Sequence, residues 1–419
     1  MLRPIKTGTK TVNISNRASS SEQDNNKVKG ALSDIRVIEL GQLIAGPFCG
    51  QLLADHGAEV IKIEQPGVGD PMRVWGRGKP VWWPVVARNK KSVTLNLRTD
   101  KGQEILKKLI KDADILLENF RPGTMEKWGL GYEELSKINP GLIMVRVSGY
   151  GQTGPYAPRA GYGGIGEAMG GMRYLAGDPS TPPSRIGLSI GDSLAATYAC
   201  LGAMMALHHR ERTGKGQVVD SAIYEAVLAM MESTIPEYTE GGYIRERTGS
   251  ILPKVAPSNV YPTKDGELLI GANQDSVFKR LAEAMGQPEL AEDPKYATHV
   301  ARGEHQKELD DLISEWTRTL TTDEVLAKME EYGVPAGRMY RAPEMLSDPH
   351  YKAREAVIKV DHPKFKNLFM QNVFPKLSET PGQVRWAGPE LGQHNEEVYK
   401  GILGMTDEEI QALRDAGDI

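Results

Sequence analysis

The chain has 419 residues, of which 40% are hydrophobic and 25% are charged, and its formal net charge is -4. This length exceeds one ordinary hydrophobic core, so two domains of a soluble globular protein are predicted. The slightly acidic charge excludes a broad basic surface for nucleic acid, and the interrupted apolar runs predict no membrane span. The two cysteines, Cys49 and Cys200, lie in apolar helical patterns, which indicates buried thiols in a reducing compartment and no metal site.

The first 30 residues are polar, and four basic residues precede the first acid, Glu22. Such a segment cannot bury enough apolar surface to order itself, so a disordered arm is predicted for residues 1–30. The same basic, serine-containing composition also fits a mitochondrial transit peptide. The predicted location is therefore the cytoplasm, with the mitochondrial matrix as the alternative.

Folding signals begin with an apolar strand at 35–40, a helix from Pro47 to near Gly57, and a second strand at 59–64. A strand, a helix and a strand in this succession form a βαβ unit, which predicts a parallel sheet. The loop between them, residues 41–46, does not match the G-x-G-x-x-G fingerprint, which argues against a nicotinamide oxidoreductase.

The alternation continues with strands predicted at 115–118 and 141–148. Between these units, Arg88, Lys90 and Lys91 stand just before another predicted strand. These cations are interpreted either as solvated charges or as a local patch that binds phosphate groups.

The segment that ends at Asp192 carries the clearest chemical signal. Gly187 and Gly191 flank a short extended stretch, and an apolar helix pattern follows Asp192 directly, which puts it at the first helical position. An aspartate at a helix start is commonly an N-cap, which satisfies free backbone N–H groups. It also suits a covalent nucleophile, because nearby backbone N–H groups can stabilise a developing oxyanion. Local spacing alone leaves both interpretations open.

The second half of the chain predicts a smaller α+β domain. Its signals are a β-hairpin at 260–271 and helices at 276–285, 306–317 and 322–332. Near the end of the chain, His394 is interpreted as a loop histidine, because no acid or nucleophile is spaced to use it as a base.

Eight stretches, in the same order along the chain, carry a resemblance to one protein family. They are Val37-Ile-Glu-Leu with Ala45-Gly-Pro, Gly57-Ala-Glu-Val-Ile-Lys-Ile-Glu, Asn89-Lys-Lys-Ser, Glu118-Asn-Phe-Arg-Pro-Gly, Gly149-Tyr-Gly-Gln-Thr-Gly-Pro, Gly191-Asp192, Thr213-Gly-Lys-Gly-Gln and Leu391-Gly-Gln-His. With them the chain resembles the class III CoA-transferases, which include formyl-CoA:oxalate and carnitine CoA-transferases and the α-methylacyl-CoA racemases.

The resemblance implies an α/β fold with a Rossmann-like parallel-sheet large domain and a smaller α+β domain. The expected large domain covers residues 31–225 and 336–419, and the expected small domain covers residues 226–335. Members of the family form a ring-shaped chain that interlocks with a second copy, so a homodimer is expected.

The resemblance also implies a reaction. In the family the nucleophile is an aspartate that follows a glycine at a helix start, and Gly191-Asp192 falls on that position. The expected function is transfer of CoA from an acyl-CoA, expected to be succinyl-CoA, to a small carboxylic acid. The implied intermediates are an aspartyl mixed anhydride and an aspartyl-CoA thioester. CoA thioester is a substrate in this scheme, and neither a metal nor a redox cofactor is expected.

Residues at or near the family's CoA contacts are expected to combine cations for the phosphates with apolar side chains for the purine or pantetheine. They are Lys90, Lys91, Leu95, Asn119, Phe120, Arg121 and Arg159.

Two other functions remain as alternatives. The racemase branch of the family has a histidine base where this chain has Tyr162, and a tyrosine with a pKa near 10 is a poor base at neutral pH. A non-catalytic acyl-CoA-binding subunit of a heteromeric transferase is the second alternative, and retention of Asp192 argues against it.

The acceptor acid is expected to be a dicarboxylate other than oxalate. Gly163 and Ile44 depart from the residues that oxalate-specific members have at these positions. Arg173, Arg185 and Arg245 are candidate partners for a distal carboxylate. Glu167 is interpreted either as a substrate-positioning acid or as a charge on a helix surface, and the sequence leaves both open.

Overall fold

The computed structural model describes residues 30–419. The predicted N-terminal arm, apart from Gly30, lies outside the described residues. The large-domain elements up to residue 228 are β1 (Arg36–Glu39), α1 (Ala45–Asp55), β2 (Glu59–Glu64), α2 (Trp82–Val86), β3 (Lys90–Thr94), α3 (Asp100–Ile110), β4 (Ile115–Glu118), α4 (Thr124–Lys127), α5 (Tyr132–Ile138), β5 (Ile143–Ser148), α6 (Gly163–Met169), α7 (Met172–Leu175), α8 (Ile190–Thr213), β6 (Val218–Ala222) and α9 (Ile223–Leu228).

The remaining elements follow in chain order. They are α10 (Thr234–Gly241), β7 (Ser258–Pro262), β8 (Glu267–Gly271), α11 (Asp275–Met285), α12 (His299–Glu304), α13 (Gln306–Thr317), α14 (Thr322–Glu331), β9 (Ala336–Arg338), α15 (Ala342–Ser347), α16 (Pro349–Ala353), β10 (Val357–Val360), β11 (Leu368–Gln371) and α17 (Asp407–Ala416), with short 3₁₀ turns at Pro71–Val74 and Pro288–Ala291 and a π-helical turn at Glu397–Ile402.

A six-stranded parallel sheet forms the centre of the large domain, in the order β3-β2-β1-β4-β5-β6. Successive strand residues enter opposite hydrophobic cores, as Val37 and Ile38 in β1 do. Helices cover both faces of the sheet. Its central strands are therefore buried on both sides and are mostly apolar. The sheet confirms the predicted α/β fold, and its strand order is that of a Rossmann-like sheet.

The long helix α8 packs one face against α1 through small buried residues, among them Ala195, Ala199 and Ala203. Its most apolar 18-residue window has a mean hydropathy of 1.3, so length and composition alone would allow it to cross a membrane. The sequence had predicted no such segment, because its longest apolar runs are short and interrupted. Among residues 30–419 this is the one helix that meets the criterion. In that window 39% of the residues are buried, with one face of the helix in the hydrophobic core and apolar side chains exposed elsewhere on it.

The free edge of β3 is covered by the C-terminal segment. The indole Nε1 of Trp386 donates to the Lys90 carbonyl at 3.0 Å. His394 donates its backbone N–H to the Ser92 carbonyl at 3.0 Å, and its ring Nδ1 accepts from the Ser92 backbone N–H at 3.1 Å. These bonds occupy the groups through which an edge strand would otherwise pair with another chain. They give His394 a structural role.

The small domain contains the antiparallel sheet β7-β8-β9 with α11, α13 and α14 packed around its core. The predicted hairpin is present, and its turn is closed by a bond of 2.8 Å from Thr263 N–H to the Gly266 carbonyl. The third strand, β9, begins at Ala336 and pairs with β8, so the sheet of the small domain extends beyond the expected boundary at residue 335. β10 and β11 form a separate antiparallel hairpin.

Candidate active site

The start of α8 lies at the carboxyl edge of the large sheet. Gly191 lies against Ile223, the residue that directly follows β6: a Cβ at Gly191 would be 3.1 Å from Ile223 Cγ2. In doubly wound sheets this edge is where ligands bind. Asp192 is therefore positioned at the edge of the sheet that serves as a binding site in this class of fold.

Asp192 is the third residue of α8 rather than the first, since the helix begins at Ile190 and Ser189 is its N-cap. No side chain caps this helix. Among the described residues, the Asp192 carboxylate makes no hydrogen bond, so the N-cap interpretation of Asp192 is wrong. The reason is that Ile190 and Gly191 already adopt helical geometry, which moves the carboxylate past the free N–H groups that it would have capped.

The Asp192 carboxylate lies directly on the backbone of Gly163, the first residue of α6. A Cβ built on Gly163 would be 2.2 Å from Asp192 Oδ2, a distance at which the carboxylate would have to move. Gly163 thus provides the space that the carboxylate occupies. The neighbouring Gly164 is less restricted, because a Cβ there would first meet Arg173 Nη2 at 3.6 Å.

The environment of Asp192 favours its protonated form. Burial is the largest cause, and the negative charge of Glu167 adds to it, while the Arg185 guanidinium acts in the opposite direction. Together they raise the pKa of Asp192 to about 6. A carboxylate with a raised pKa and free lone pairs is a better nucleophile than an ordinary surface aspartate.

Glu167 is buried, with only 2% of its surface exposed, so its interpretation as a helix-surface charge is wrong. It lies one helical turn after Gly163 on α6, and its Cγ would be 3.3 Å from a Cβ at Gly191. Its Oε2 forms an ion pair of 2.9 Å with Arg173 Nη2. A buried acid and its arginine therefore flank the Asp192 carboxylate.

Of the three candidate arginines, Arg245 is bound elsewhere. Its guanidinium pairs with Glu237 at 2.5 Å and with Glu232 at 2.8 Å. Arg185 lies just before α8 and donates to Ser189 Oγ at 3.3 Å. Arg185 therefore acts on Asp192 electrostatically, Arg173 is joined to the site through its ion pair with Glu167, and Arg245 is bound elsewhere.

A second part of the carboxyl edge lies between β1 and β4, where the strand order of the sheet reverses. Asn119 follows β4 and closes the loop after β1 from both sides: its Oδ1 accepts from Gln42 N–H at 2.8 Å, and its Nδ2 donates to the Gln42 carbonyl at 2.9 Å. Gly41 and Gly46 pack tightly here, since a Cβ at Gly46 would be 3.0 Å from Gly41 Cα. Such a reversal point is where doubly wound sheets bind nucleotides.

Phe120 and Arg121 continue from Asn119 along the same edge. The Phe120 N–H donates to Glu118 Oε2 at 2.7 Å, and the Phe120 ring packs edge-on against Trp128 with 5.4 Å between centroids. Arg121 is exposed. The three residues Asn119, Phe120 and Arg121 are thus brought together, with Asn119 and Phe120 anchored and the exposed cation of Arg121 beside them.

The cationic patch predicted around Lys90 is wrong. Lys90 and Lys91 lie within β3, and Lys90 is 0% exposed, with its ammonium 2.8 Å from Glu39 Oε2. Arg88 is buried against Asp55 at 2.6 Å. A lysine enclosed in an ion pair cannot reach a phosphate, so Lys90 is a structural residue.

The other expected CoA contacts differ in accessibility. Leu95 belongs to the hydrophobic core. Lys91 is partly exposed and pairs with Glu59 and Glu397. Arg159 is exposed on the loop before α6, with its guanidinium 3.6 Å from the ring centroid of Tyr156.

A buried charge network beneath the loop at 41–46 was not predicted from the sequence. Lys62 bonds to the Gly41 carbonyl and pairs with Asp70 at 2.9 Å, and Asp70 Oδ1 accepts from Leu43 N–H at 3.1 Å. Leu43 has a φ of 63°, so these bonds support an otherwise unfavourable backbone. The available signal was the occurrence of charged residues inside apolar strands, which are buried only when paired.

Comparisons with known proteins agree with this fold. The family profile of CoA-transferase family III matches residues 32–395. A succinyl-CoA:D-citramalate CoA-transferase of Chloroflexus aurantiacus is 64% identical over 388 residues, covering 91% of this chain and 96% of the relative. The beta subunit of a succinyl-CoA:L-malate CoA-transferase from the same organism is 45% identical over 391 residues, again covering 91% and 96%.

A crystal structure of a CaiB/BaiF family protein from Brucella suis is also similar, with a TM-score of 0.81 and 33% identity over 89% of this chain and 100% of that chain. The chain belongs to CoA-transferase family III. It is an enzyme that transfers CoA between an acyl-CoA and a carboxylic acid, which confirms the expected activity.

Proposed function

We propose that the enzyme moves CoA from succinyl-CoA to a small dicarboxylic acid, with Asp192 as the nucleophile. The observation that carries the proposal is the state of the Asp192 carboxylate: it is free of hydrogen bonds, lies on Gly163, and has a pKa raised to about 6. A half-buried carboxylate whose charged form is disfavoured by the fold is a candidate reacting group.

The reaction proceeds by acyl exchange on this carboxylate. Asp192 attacks the succinyl-CoA carbonyl and expels CoA thiolate, which leaves a mixed anhydride of succinate and aspartate. The thiolate attacks the aspartyl carbonyl, succinate leaves, and an aspartyl-CoA thioester remains. The acceptor carboxylate then displaces the thiolate to form a second anhydride, and thiolate attack on the acceptor acyl carbonyl releases the new CoA thioester and restores Asp192. This division of one difficult exchange into easier steps is the usual advantage of covalent catalysis.

The donor and the acceptor class are supported by two relatives. Both relatives are named as succinyl-CoA enzymes, and their acceptors, D-citramalate and L-malate, are hydroxy-dicarboxylic acids. The cations Arg173 and Arg185 near Asp192 are suited to the second carboxylate of such an acid.

We propose that Asn119, Phe120, Arg121 and Arg159 contact CoA along the carboxyl edge of the sheet. The exposed Arg121 and Arg159 suit the phosphates, and the Phe120 ring suits the adenine or the pantetheine chain. Lys91 is available for a phosphate only if it exchanges its glutamate partners.

We also propose a homodimer, in which two chains interlock. One face of α8 exposes Leu201, Met204 and Met205, and the segment from α10 onward exposes Ile235 and Ile244. Exposed apolar residues in this number are typical of a protein interface. Light scattering during size-exclusion chromatography would measure the expected mass of two chains, and a single-chain mass at micromolar concentration would contradict the proposal.

Intact-protein mass spectrometry after mixing with succinyl-CoA tests the nucleophile. The wild type is expected to gain a covalent CoA or succinyl adduct, and Asp192→Asn is expected to gain none. Asp407→Asn is a matched control, since Asp407 is another aspartate in the first turn of a helix, and it should form the adduct as the wild type does. An adduct on Asp192→Asn would refute the assignment of the nucleophile.

A further inference from the structure

The pair formed by Glu167 and Arg173 uses only part of its hydrogen-bonding capacity. Glu167 Oε2 and Arg173 Nη2 bond to each other, but Glu167 Oε1 and Arg173 Nε are buried and have no partner within residues 30–419. Unpaired buried groups of this kind are rare and need an explanation, because each hydrogen bond left unmade inside the protein lowers its stability.

Comparison with the other two buried carboxylate oxygens that lack a hydrogen bond separates Glu167 from the structural charge network. Glu39 Oε2 and Asp70 Oδ2 also lack hydrogen bonds, but Lys90 and Lys62 lie within 2.8 Å and 2.9 Å of them. Glu167 Oε1 has no such second cation among the ion pairs of the described residues. Its free lone pairs therefore require a donor from outside the described chain.

The position of the pair connects it with the reaction. Gly163 contacts the Asp192 carboxylate, Glu167 lies one turn further along α6 and contacts Gly191, and Arg173 approaches Gly164. Arg173 keeps 29% of its side chain exposed, so a substrate can reach its guanidinium. A ligand bound at Asp192 thus has the acceptor oxygen of Glu167 beside it and the guanidinium of Arg173 beyond that oxygen.

These two groups are complementary to one class of acid. A carboxylate oxygen without a partner requires a donor such as a hydroxyl group, and a guanidinium with free N–H groups binds a carboxylate. We propose that Glu167 and Arg173 select a hydroxy-dicarboxylic acid as acceptor: Glu167 Oε1 accepts from its hydroxyl group, and Arg173 binds the carboxylate that does not react. The inference rests on the proposed function of Asp192 and adds the residues that determine the acceptor.

The test compares two acceptors that differ only in the hydroxyl group, citramalate and methylsuccinate, with succinyl-CoA as donor. The wild type is expected to favour citramalate in kcat/KM by about tenfold to hundredfold, since a hydrogen bond to a charged group has a contribution of this size. Glu167→Leu should remove this preference by lowering kcat/KM for citramalate alone. Glu167→Gln, which keeps an acceptor oxygen, should retain most of it.

Controls separate this inference from the proposed function. Glu308→Leu replaces an exposed glutamate of the small domain and should leave the acceptor ratio unchanged. Covalent adduct formation with succinyl-CoA needs no acceptor, so it reports on Asp192 in every variant and also shows that the variant is folded. No adduct on the wild type would refute the proposed function.

Two results would overturn the inference while the adduct still forms. One is a wild type that does not distinguish the two acceptors, and the other is a Glu167→Leu variant that keeps the wild-type ratio. For the cation, Arg173→Gln should raise KM for both dicarboxylates and leave KM for butyrate unchanged, and an equal rise for all three acids would exclude a role in binding the second carboxylate.

Discussion

Replacement of Asp192 by asparagine is predicted to stabilise the protein while it abolishes activity. Burial and the charge of Glu167 raise the pKa of Asp192 from 3.8 to about 6. A rise of this size corresponds to about 3 kcal/mol against the ionised form above pH 6. The dipole at the start of α8 favours a negative charge by about 0.3–1 kcal/mol. Neutral asparagine should therefore increase the free energy of unfolding by about 2 kcal/mol at pH 7.5.

The pH dependence of this difference has a definite sign. Because the pKa is raised in the folded state, the contribution of the protonated carboxyl group is fully present below pH 3.8 and is lost as the pH rises through about 6. The advantage of Asp192→Asn should thus be largest above pH 7 and shrink steadily as the pH is lowered towards 4.

Urea unfolding, followed by circular dichroism at pH 7.5 and pH 5, measures this effect at one fixed protein concentration, since association contributes to stability. The matched variant Asp407→Asn removes an exposed aspartate that pairs with Lys400 at the start of α17, and it should be neutral or slightly destabilising. If Asp192→Asn is no more stable than the wild type at pH 7.5, the folded state does not destabilise the Asp192 carboxylate and the reasoning fails.

Three further predictions concern the same edge of the sheet. The rate of adduct formation should fall as the pH drops through about 6, because only ionised Asp192 attacks, and Glu167→Gln should move this inflection to lower pH in a stopped-flow or quenched mass-spectrometric assay. Gly163→Ala should abolish the adduct without loss of fold, since the new Cβ would displace Asp192 Oδ2. Gly164→Ala is the control and should form the adduct normally. Equal adduct formation by the two variants would contradict the packing of Asp192 on Gly163. Asn119→Ala removes both hydrogen bonds that close the loop after β1. Steady-state kinetics should then show an increase of about tenfold in KM for acyl-CoA, with a smaller change in kcat. An unchanged KM would exclude this loop from CoA binding.

Much of the fold could be predicted because local signals define the elements. The strand at 59–64 and the strand at 115–118 have the bounds that the apolar pattern predicted, and the helix at 306–317 does as well. Each of these three elements is bordered by residues that favour the end of one helix or strand or the start of the next. Such signals act over a few positions, so a sequence pattern can report them.

The charges on β3 show what a local pattern cannot report. Lys90 was placed in a solvent-facing patch, yet it is buried because β3 pairs with β2 in a register that sets Lys90 beside Val60, close to Glu39 of β1. The partner is 51 positions away in the chain. Its identity depends on strand order and register, which the pattern of any one segment does not contain.

The ion pair at the candidate site could not be predicted from the sequence for a related reason. Glu167 and Arg173 are six positions apart, a spacing that does not bring side chains together on a continuous helix. The helix breaks at Gly170 and Gly171, and Gly171 has a φ of 94°, so the chain turns and returns Arg173 to Glu167. Glu167 and Arg173 were each candidates from the sequence, but their pairing depends on this turn and was not predicted. The role of Asp192 followed from the family resemblance, since its local spacing also fitted an N-cap.

The cover on the free edge of β3 also determines when the large domain can complete its folding. The bonds from Trp386 and His394 join residues that are 296 and 302 positions apart. During synthesis on the ribosome, β3 therefore emerges long before the segment that covers it, and its open N–H and C=O groups are available for pairing with other nascent chains. Contacts over such separations also form slowly, because the entropy of closing the loop is lost before any contact is gained. The sheet that bears the candidate site is completed only after nearly the whole chain has been made.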